Sequence, residues 1–305
     1  MMQKIKHNEI IWIDIENPNE KSIDFLKKNF QLCPSVIKEI LPPVKRSKVE
    51  QYDDYFFIVI HFPVFHKKEQ KTISVELDMI LFKNTLITSH TGSIPELKKM
   101  FKECNTNESA RSQNFKNNAV YLTYQILDYL IDTRMPMLDK IDDYISEIEE
   151  NLFKENEKEM VKKIAIIKHH IISFRRIMKP QRVVLESLAR MAPRIAKENF
   201  IKLSAEVIGS NIKVWNTLEN HKEMIEALEH TNESLFSYKL NTTMKILTAF
   251  SVIVLPLSLM ANTFGMNVTN SMPFVESPFG FYIVGGLMII MTFISFLFFK
   301  LNKWI

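Results

Sequence analysis

Residues 246–267 read ILTAFSVIVLPLSLMANTFGMN, and no Asp, Glu, Lys or Arg occurs from Ile246 through Val275. A second uncharged run follows Glu276 and lasts until Lys300. A helix rising ~1.5 Å per residue needs about 20 apolar residues to cross the hydrocarbon core of a bilayer. Residues 246–264 and 279–299 both satisfy this, with an outer loop at 265–278 between them. The other reading, two buried helices of a soluble core, does not suit all-round hydrophobicity twice in succession.

Flanking charges orient the spans. Lys239 and Lys245 precede the first, Lys300 and Lys303 follow the second, and the connection carries neither Lys nor Arg. By the positive-inside tendency both ends of the chain are cytoplasmic and Gly265-Met266-Asn267 faces outward. Residues 1–7 form neither a signal peptide nor an Arg- and Ser-rich transit peptide. The expected location is therefore the plasma (inner) membrane of a prokaryote.

Whole-chain averages hide this architecture. With 305 residues, 24% of them charged, the composition resembles that of a soluble protein because the apolar residues are concentrated at one end. A net charge of +4 gives no reason to expect nucleic acid as a partner. Cys33 and Cys104 are the only cysteines, both in the part assigned to the cytoplasm, so they read as small buried thiols rather than a disulfide. Neither has a Cys or His at zinc-site spacing.

About 240 residues remain outside the spans, enough for one large domain or two smaller ones. The expected division is an N-terminal α/β domain over 1–118, a long-helix stalk over 119–240 and a membrane domain over 241–305. Strand patterns occur at 10–15, 55–62, 73–82 and 86–89, with a tight turn at Lys83-Asn84-Thr85 joining antiparallel neighbours. Amphipathic helical stretches lie at 22–30 and 35–41, the second ended by Pro42-Pro43. From residue 94 onward the texture is helical, with long helices predicted at 120–151, 155–190 and 193–264 and kinks or breaks at Pro136, Pro180 and Pro193. The fold class is α+β: a mixed sheet flanked by helices, then a long stalk helix and two C-terminal transmembrane helices.

The first span carries one polar stripe. Alternating steps of three and four from Asn241 reach Met244, Thr248, Ser251, Leu255, Ser258 and Asn262. Within 246–264 the only polar residue off that line is Thr263. Polar groups facing lipid are costly, so such a face turns toward protein or water. Continued backward, the stripe runs through Ser237, Ser234, His230, Ala227, Glu223, Asn220 and Asn216. A dry coiled coil would have Leu, Ile or Val there, so several copies around a wet axis fit better. Interhelical hydrogen-bonding glue is the other reading. Met244 and Leu255, the apolar members, are suited to act as constrictions that exclude water.

These residues resemble a known family, the CorA-type magnesium channels. The likeness is carried by Asn241, Met244-Lys245, Leu247-Thr248, Pro256-Leu257 and Gly265-Met266-Asn267, and by the ending at Lys303-Trp304. Lys48-Val49-Glu50, Tyr52-Asp53-Asp54-Tyr55, Glu76-Leu77-Asp78 and Lys83-Asn84 extend it into the first hundred residues. The resemblance implies a homopentamer in membrane lipid whose first spans line a pore, with a selectivity filter of Gly265, Met266 and Asn267. It implies Mg²⁺ as transported and regulatory ion, with Co²⁺ or Ni²⁺ as secondary ions, and no other cofactor. It also implies closure by cytoplasmic Mg²⁺ bound between subunits, where this chain has Glu39 and Glu206.

The chain departs from the family's pattern in three ways. Phe274 stands where an acidic residue commonly follows Met-Pro, Phe264 replaces a more frequent Tyr, and the longer C-terminal lysine run is missing. A zinc transporter of the same fold more often has Ile in place of Met266. A non-conducting membrane-anchored scaffold would not need the unbroken stripe. Neither an ATP-binding loop nor a nucleophile, base and orienter cluster emerges, so an enzyme is not expected.

The run from Asp139 to Glu159 is acidic, with Asp142, Asp143, Glu147, Glu149, Glu150, Glu155 and Glu157. It reads as a solvated helix face or as an attractor of cations near the inner mouth. The basic run His169, His170, Arg175, Arg176, Lys179 and Arg182 is a candidate to pair with it.

Overall fold

The computed structural model describes residues 2–41, 45–66, 71–92, 94–154, 157–195, 200–266, 273–274, 277–302 and 304. Two compact units result, Met1–Glu229 and His230–Ile305. The first takes in all of the predicted 1–118 segment and most of the 119–240 segment.

The first unit is built on a six-stranded sheet in the order β1-β2-β6-β5-β4-β3. Its strands are β1 (Met2–His7), β2 (Ile10–Glu16), β3 (Lys48–Gln51), β4 (Tyr55–His66), β5 (Lys71–Phe82) and β6 (Thr85–His90). Only β2 and β6 run parallel; the other pairs are antiparallel, so the sheet is mixed. The continuous apolar run of β4 suits a strand buried on both faces. The predicted turn at 83–85 joins β5 to β6, with Leu81 opposite Leu86.

Two strands, β1 and β3, escape the hydropathy pattern, and a third, β4, outruns it. β1 is a polar edge strand in which Ile5 alone is buried, folded back on β2 through Asn8 at a φ of 53°. β4 continues past residue 62, through Pro63, to His66. Beyond Val59 it has no β3 partner, and a proline is tolerated where a strand is paired on one side only.

Helices cover both faces. On one, α1 (Glu20–Asn29) and α2 (Pro34–Glu39) enclose Ile13, Ile15, Phe57, Val59, Ile80 and Ile87. Asn19 caps α1, its side chain accepting from the Ser22 amide at 3.1 Å. Pro42 and Pro43, predicted to end the second of these helices, lie outside the described residues. On the other face sit α3 (Pro95–Thr106), α4 (Glu108–Asn114) and α5 (Ala119–Asp132), with Trp12 buried edge-on to Phe101 at 4.8 Å. Then follow α6 (Met135–Asn151) and α7 (Glu157–Met191), the latter packed on β3, β4 and β5.

The predicted helix at 120–151 is two helices, α5 and α6. Pro136 stands in the first turn of α6, and its ring would collide with the Asp132 carbonyl in a continuous helix. Pro180, by contrast, lies inside α7 without ending it. Its position is exposed, so the Arg176 carbonyl left without a donor faces solvent. Pro193 sits in a short 3₁₀ turn at Ala192–Arg194, and the long helix predicted from 193 begins as α8 at Ile201, running to Phe264.

The second unit contains residues 230–264 of α8 and all of α9 (Gly280–Leu301). α8 and α9 are the two helices long and apolar enough to cross a membrane among the described residues. Almost none of their apolar stretch is buried within the chain.

Candidate functional site

α8 carries the predicted stripe. Met244 and Leu255 are 54% and 68% exposed, Asn241, Thr248, Ser258 and Asn262 are exposed, and Ser251 is half-buried. The Ser251 hydroxyl donates to the Leu247 carbonyl at 2.9 Å, a bond that keeps a polar group satisfied within its own helix. Off the stripe, Thr263 does the same to the Leu259 carbonyl at 2.8 Å. Asn241, Thr248, Ser258 and Asn262 make no side-chain hydrogen bond among the described residues. Amides and hydroxyls of this kind, left unpaired on a membrane helix, must find protein or water outside the chain.

At its C-terminal end α8 gives way to Gly265, whose amide donates to the Ala261 carbonyl at 2.9 Å. A Cβ at Gly265 would lie 3.0 Å from that same carbonyl oxygen, tight enough to force a shift. A side chain there is accommodated only if the neighbouring backbone gives by a few tenths of an ångström. Met266 follows, 56% exposed, while Asn267 lies outside the described residues, as do Met272, Glu276 and Lys303. Gly280 begins α9, and a Cβ there would fall 2.1 Å from the Phe274 carbonyl oxygen.

The two predicted regulatory carboxylates occupy separate places. Glu39 ends α2 and pairs with Lys48 Nζ at 2.7 Å. Beside it on β5, Asp78 is 4% exposed, has one carboxyl oxygen without a partner, and is pushed up to about 8 by burial, with Glu76 and Glu39 adding to the shift. Glu206, exposed on α8, has Lys202 Nζ at 4.0 Å. Asp128 of α5 is raised by burial, with Asp132 and Glu206 contributing, although Ser210 donates to it at 3.0 Å. No hydrogen bond or ion pair joins Glu39 to Glu206. Among the described residues no group of three or more His, Cys, Asp or Glu is arranged to hold a metal.

Asp78, Asp128 and Asp132 were missed in the sequence. The available signal was a carboxylate inside an apolar strand, LDMILF, and a pair spaced i, i+4 on an apolar helix.

Among the described residues no ion pair joins the basic run to the acidic one. Arg175 pairs with Glu219 of α8 and Arg182 with Glu186 of its own helix at 2.8 Å, while His170 lies 3.3 Å from Thr72. α6 instead uses Asp142 to hold His221 of α8 at 3.3 Å and Glu147 to hold Lys163 at 3.2 Å. Glu155 lies outside the described residues. Of the thiols, Cys104 is buried and pushed up to about 11 by burial. Cys33 is only half-buried, and the Ser35 hydroxyl lowers it, so the expectation of two buried thiols holds for one.

Comparison with known proteins adds to this geometry. A family model described as CorA-like Mg²⁺ transporter protein matches residues 7–301. The chain is 28% identical over 295 residues to the cobalt/magnesium transport protein CorA of Thermotoga maritima, covering 96% of this chain and 83% of that one. It is 24% identical over 300 residues to the protein of the same name from Methanocaldococcus jannaschii, covering 97% and 92%. The complete structure of the CorA magnesium transporter from M. jannaschii superposes with a TM-score of 0.86 at 23% identity, covering 99% of this chain and 93% of that one.

Proposed function

This chain belongs to the CorA-like Mg²⁺ transporter family, and from that premise we propose that it is a homopentameric channel for passive Mg²⁺ uptake across a prokaryotic plasma membrane. The observation that carries the reading is the polar stripe of α8, four of whose side chains, Asn241, Thr248, Ser258 and Asn262, make no hydrogen bond among the described residues, and which leads in sequence to Gly265-Met266-Asn267. Five copies around an axis would turn Asn241, Thr248, Ser251, Ser258 and Asn262 toward a shared aqueous path. Met244 and Leu255 would then narrow it with apolar rings that close by excluding water.

Mg²⁺ gives up its waters reluctantly, so an efficient mouth recognises the hydrated ion. Neutral oxygens of Asn267 and of the Gly265 backbone accept hydrogen bonds from those waters without trapping the ion. The driving force is electrical: a divalent cation gains about 4 to 5 kcal/mol on crossing an inside-negative potential of about 100 mV. At ~1.4 kcal/mol per tenfold, that sustains an accumulation of more than about a thousandfold.

Closure follows from internal Mg²⁺ bound between neighbouring subunits by Glu39 of one and Glu206 of the next. Each carboxylate has further acids beside it, Asp78 and Glu76 for the first, Asp128 and Asp132 for the second, which raise the local demand for a cation. Co²⁺ and Ni²⁺ are the secondary ions, and the two relatives described above are named for cobalt as well as magnesium. Zinc transport on the same fold and a non-conducting scaffold are the competing readings.

Ion flux into liposomes separates them. Wild type is expected to carry Mg²⁺ and Asn267→Ala to lose most of that flux. Equal Mg²⁺ flux in both would refute the filter, Zn²⁺ flux without Mg²⁺ would favour the zinc reading, and absence of flux in either would favour the scaffold.

A further inference from the structure

Between the β4–β5 ribbon and the α6–α7 pair lies a cavity of 480 Å³, a size within the range of small-molecule sites. Its floor is apolar: Ile141 and Ile148 from α6, Ile167 and Phe174 from α7, all buried. Its opening is apolar too, and there Phe65, Tyr144 and Ile166 are 40%, 53% and 47% exposed. Steps of three and four along each helix explain the lining, since 137, 141, 144 and 148 share one face of α6, and 163, 167, 170 and 174 one face of α7. The cavity is open to the surface, so it is a groove whose apolar lining the chain itself leaves partly uncovered.

The charged groups of the lining are Lys140, Lys163 and Glu147, a net single positive charge, on a stretch of α6 that also carries Asp139, Asp142 and Asp143. Glu147 is the single carboxylate in the lining, and Lys163 Nζ already neutralises it at 3.2 Å. Lys140 adds a charge with no ion-pair partner among the described residues. His170 lies 3.3 Å from Thr72 Oγ1 and leans on the Phe65 ring at 5.7 Å. Burial, with His169 beside it, lowers it below the usual histidine range, so at neutral pH it offers an uncharged ring. A cationic ligand would meet Lys140 and Lys163. A neutral apolar ligand would leave Lys140 unanswered at the rim.

We propose that this cavity binds a single-chain amphiphilic carboxylate of the fatty-acid kind, its hydrocarbon tail against Ile141, Ile167 and Phe174 and its head group at Lys140. The helices that wall the cavity are also those tied to α8. Lys168 pairs with Glu229, Arg175 with Glu219, and Asp142 of α6 with His221.

The test is photo-crosslinking of the full chain in phosphatidylcholine nanodiscs with a diazirine-bearing decanoate, labelled residues being mapped by mass spectrometry. Label is expected on α6 and α7 between residues 137 and 174, displaced by unlabelled decanoate and not by decylamine. Lys140→Glu, at an exposed position that does not threaten folding, is expected to weaken labelling about tenfold, since it turns a rim attraction into a repulsion. Ile167→Trp fills the cavity and is expected to abolish it. Label confined to the membrane spans would overturn the proposal. So would displacement by decylamine as readily as by decanoate, displacement by phosphatidic acid but not decanoate, or labelling unchanged in Lys140→Glu.

Discussion

Replacing Asp78 with Asn tests whether a carboxyl is held protonated in the middle of the sheet. Asp78 stands between Val59 of β4 and Ser89 of β6, is 4% exposed, and leaves one carboxyl oxygen without a hydrogen-bond partner. Burial, then the charges of Glu76 and Glu39, lift it from 3.8 to about 8, against the opposing pull of Lys45 and Lys48. The folded state therefore keeps a proton that the unfolded chain releases. Stability from this group is complete below pH 3.8 and is lost as pH rises toward about 8. Between those limits the loss is about 1.4 kcal/mol per pH unit, so by pH 7 it amounts to roughly 4 kcal/mol. Asp78→Asn keeps the shape and removes the titration. Melting is followed by tryptophan fluorescence of the full chain in detergent, where Trp12 and Trp215 report from the first unit. At roughly 2 to 4 °C per kcal/mol for a unit of this size, wild type is expected to gain about 5 to 10 °C over Asp78→Asn when pH falls from about 7 to 5. An infrared band of a protonated carboxylic acid at neutral pH, absent from Asp78→Asn, is the second readout. A difference between the two proteins that stays constant across this range would refute the reasoning, because it would mean that the carboxyl is ionised in the fold.

Further outcomes follow from other contacts. Arg134 is 1% exposed and donates to the Leu130 and Pro63 carbonyls at 3.0 and 2.8 Å while pairing with Glu96 at 3.0 Å. Arg134→Met should cost about 3 kcal/mol by stranding those acceptors, read as a lower urea midpoint with unchanged slope. Gly280→Ala places a carbon 2.1 Å from the Phe274 carbonyl and is expected to lower the melting temperature more than Gly265→Ala, whose clash is at 3.0 Å. Equal effects would contradict that ranking. Leu255→Asn, which wets a proposed constriction, should raise Mg²⁺ flux into liposomes preloaded with Mg²⁺; unchanged flux would remove Leu255 from the gate.

The membrane end of the fold was fully legible because hydrophobicity and helical spacing are properties of one segment at a time. The strands at 10–15, 55–62, 73–82 and 86–89 were legible for the same reason, being apolar runs bounded by turn residues. β1 and β3 were not: one is a polar edge, the other four half-buried or exposed residues, and each exists only because a neighbouring strand supplies its hydrogen bonds. Proline was legible in part: Pro136 stands at a break, where a kink or break was expected, and Pro180 lies inside the helix expected over 155–190 without ending it.

Of the candidate site, the stripe from Asn241 to Asn262 is a matter of spacing alone, since nearly all of α8 there is exposed in the single chain and its faces are not told apart by burial. The partners of the charged runs could not. Acidic and basic residues adjacent in sequence invite pairing, yet Arg175 reaches Glu219 and Asp142 reaches His221, contacts decided by how α6 and α7 pack against α8. The same holds for Asp78, an ordinary carboxylate until β4, β6 and two neighbouring glutamates surround it, and for the cavity under Phe65, which needs three elements to exist. Periodicity and composition suffice wherever a residue's role depends on its own helix or strand. Protonation, pairing and voids depend on distances between segments remote along the chain, and those distances are set only when the tertiary structure closes.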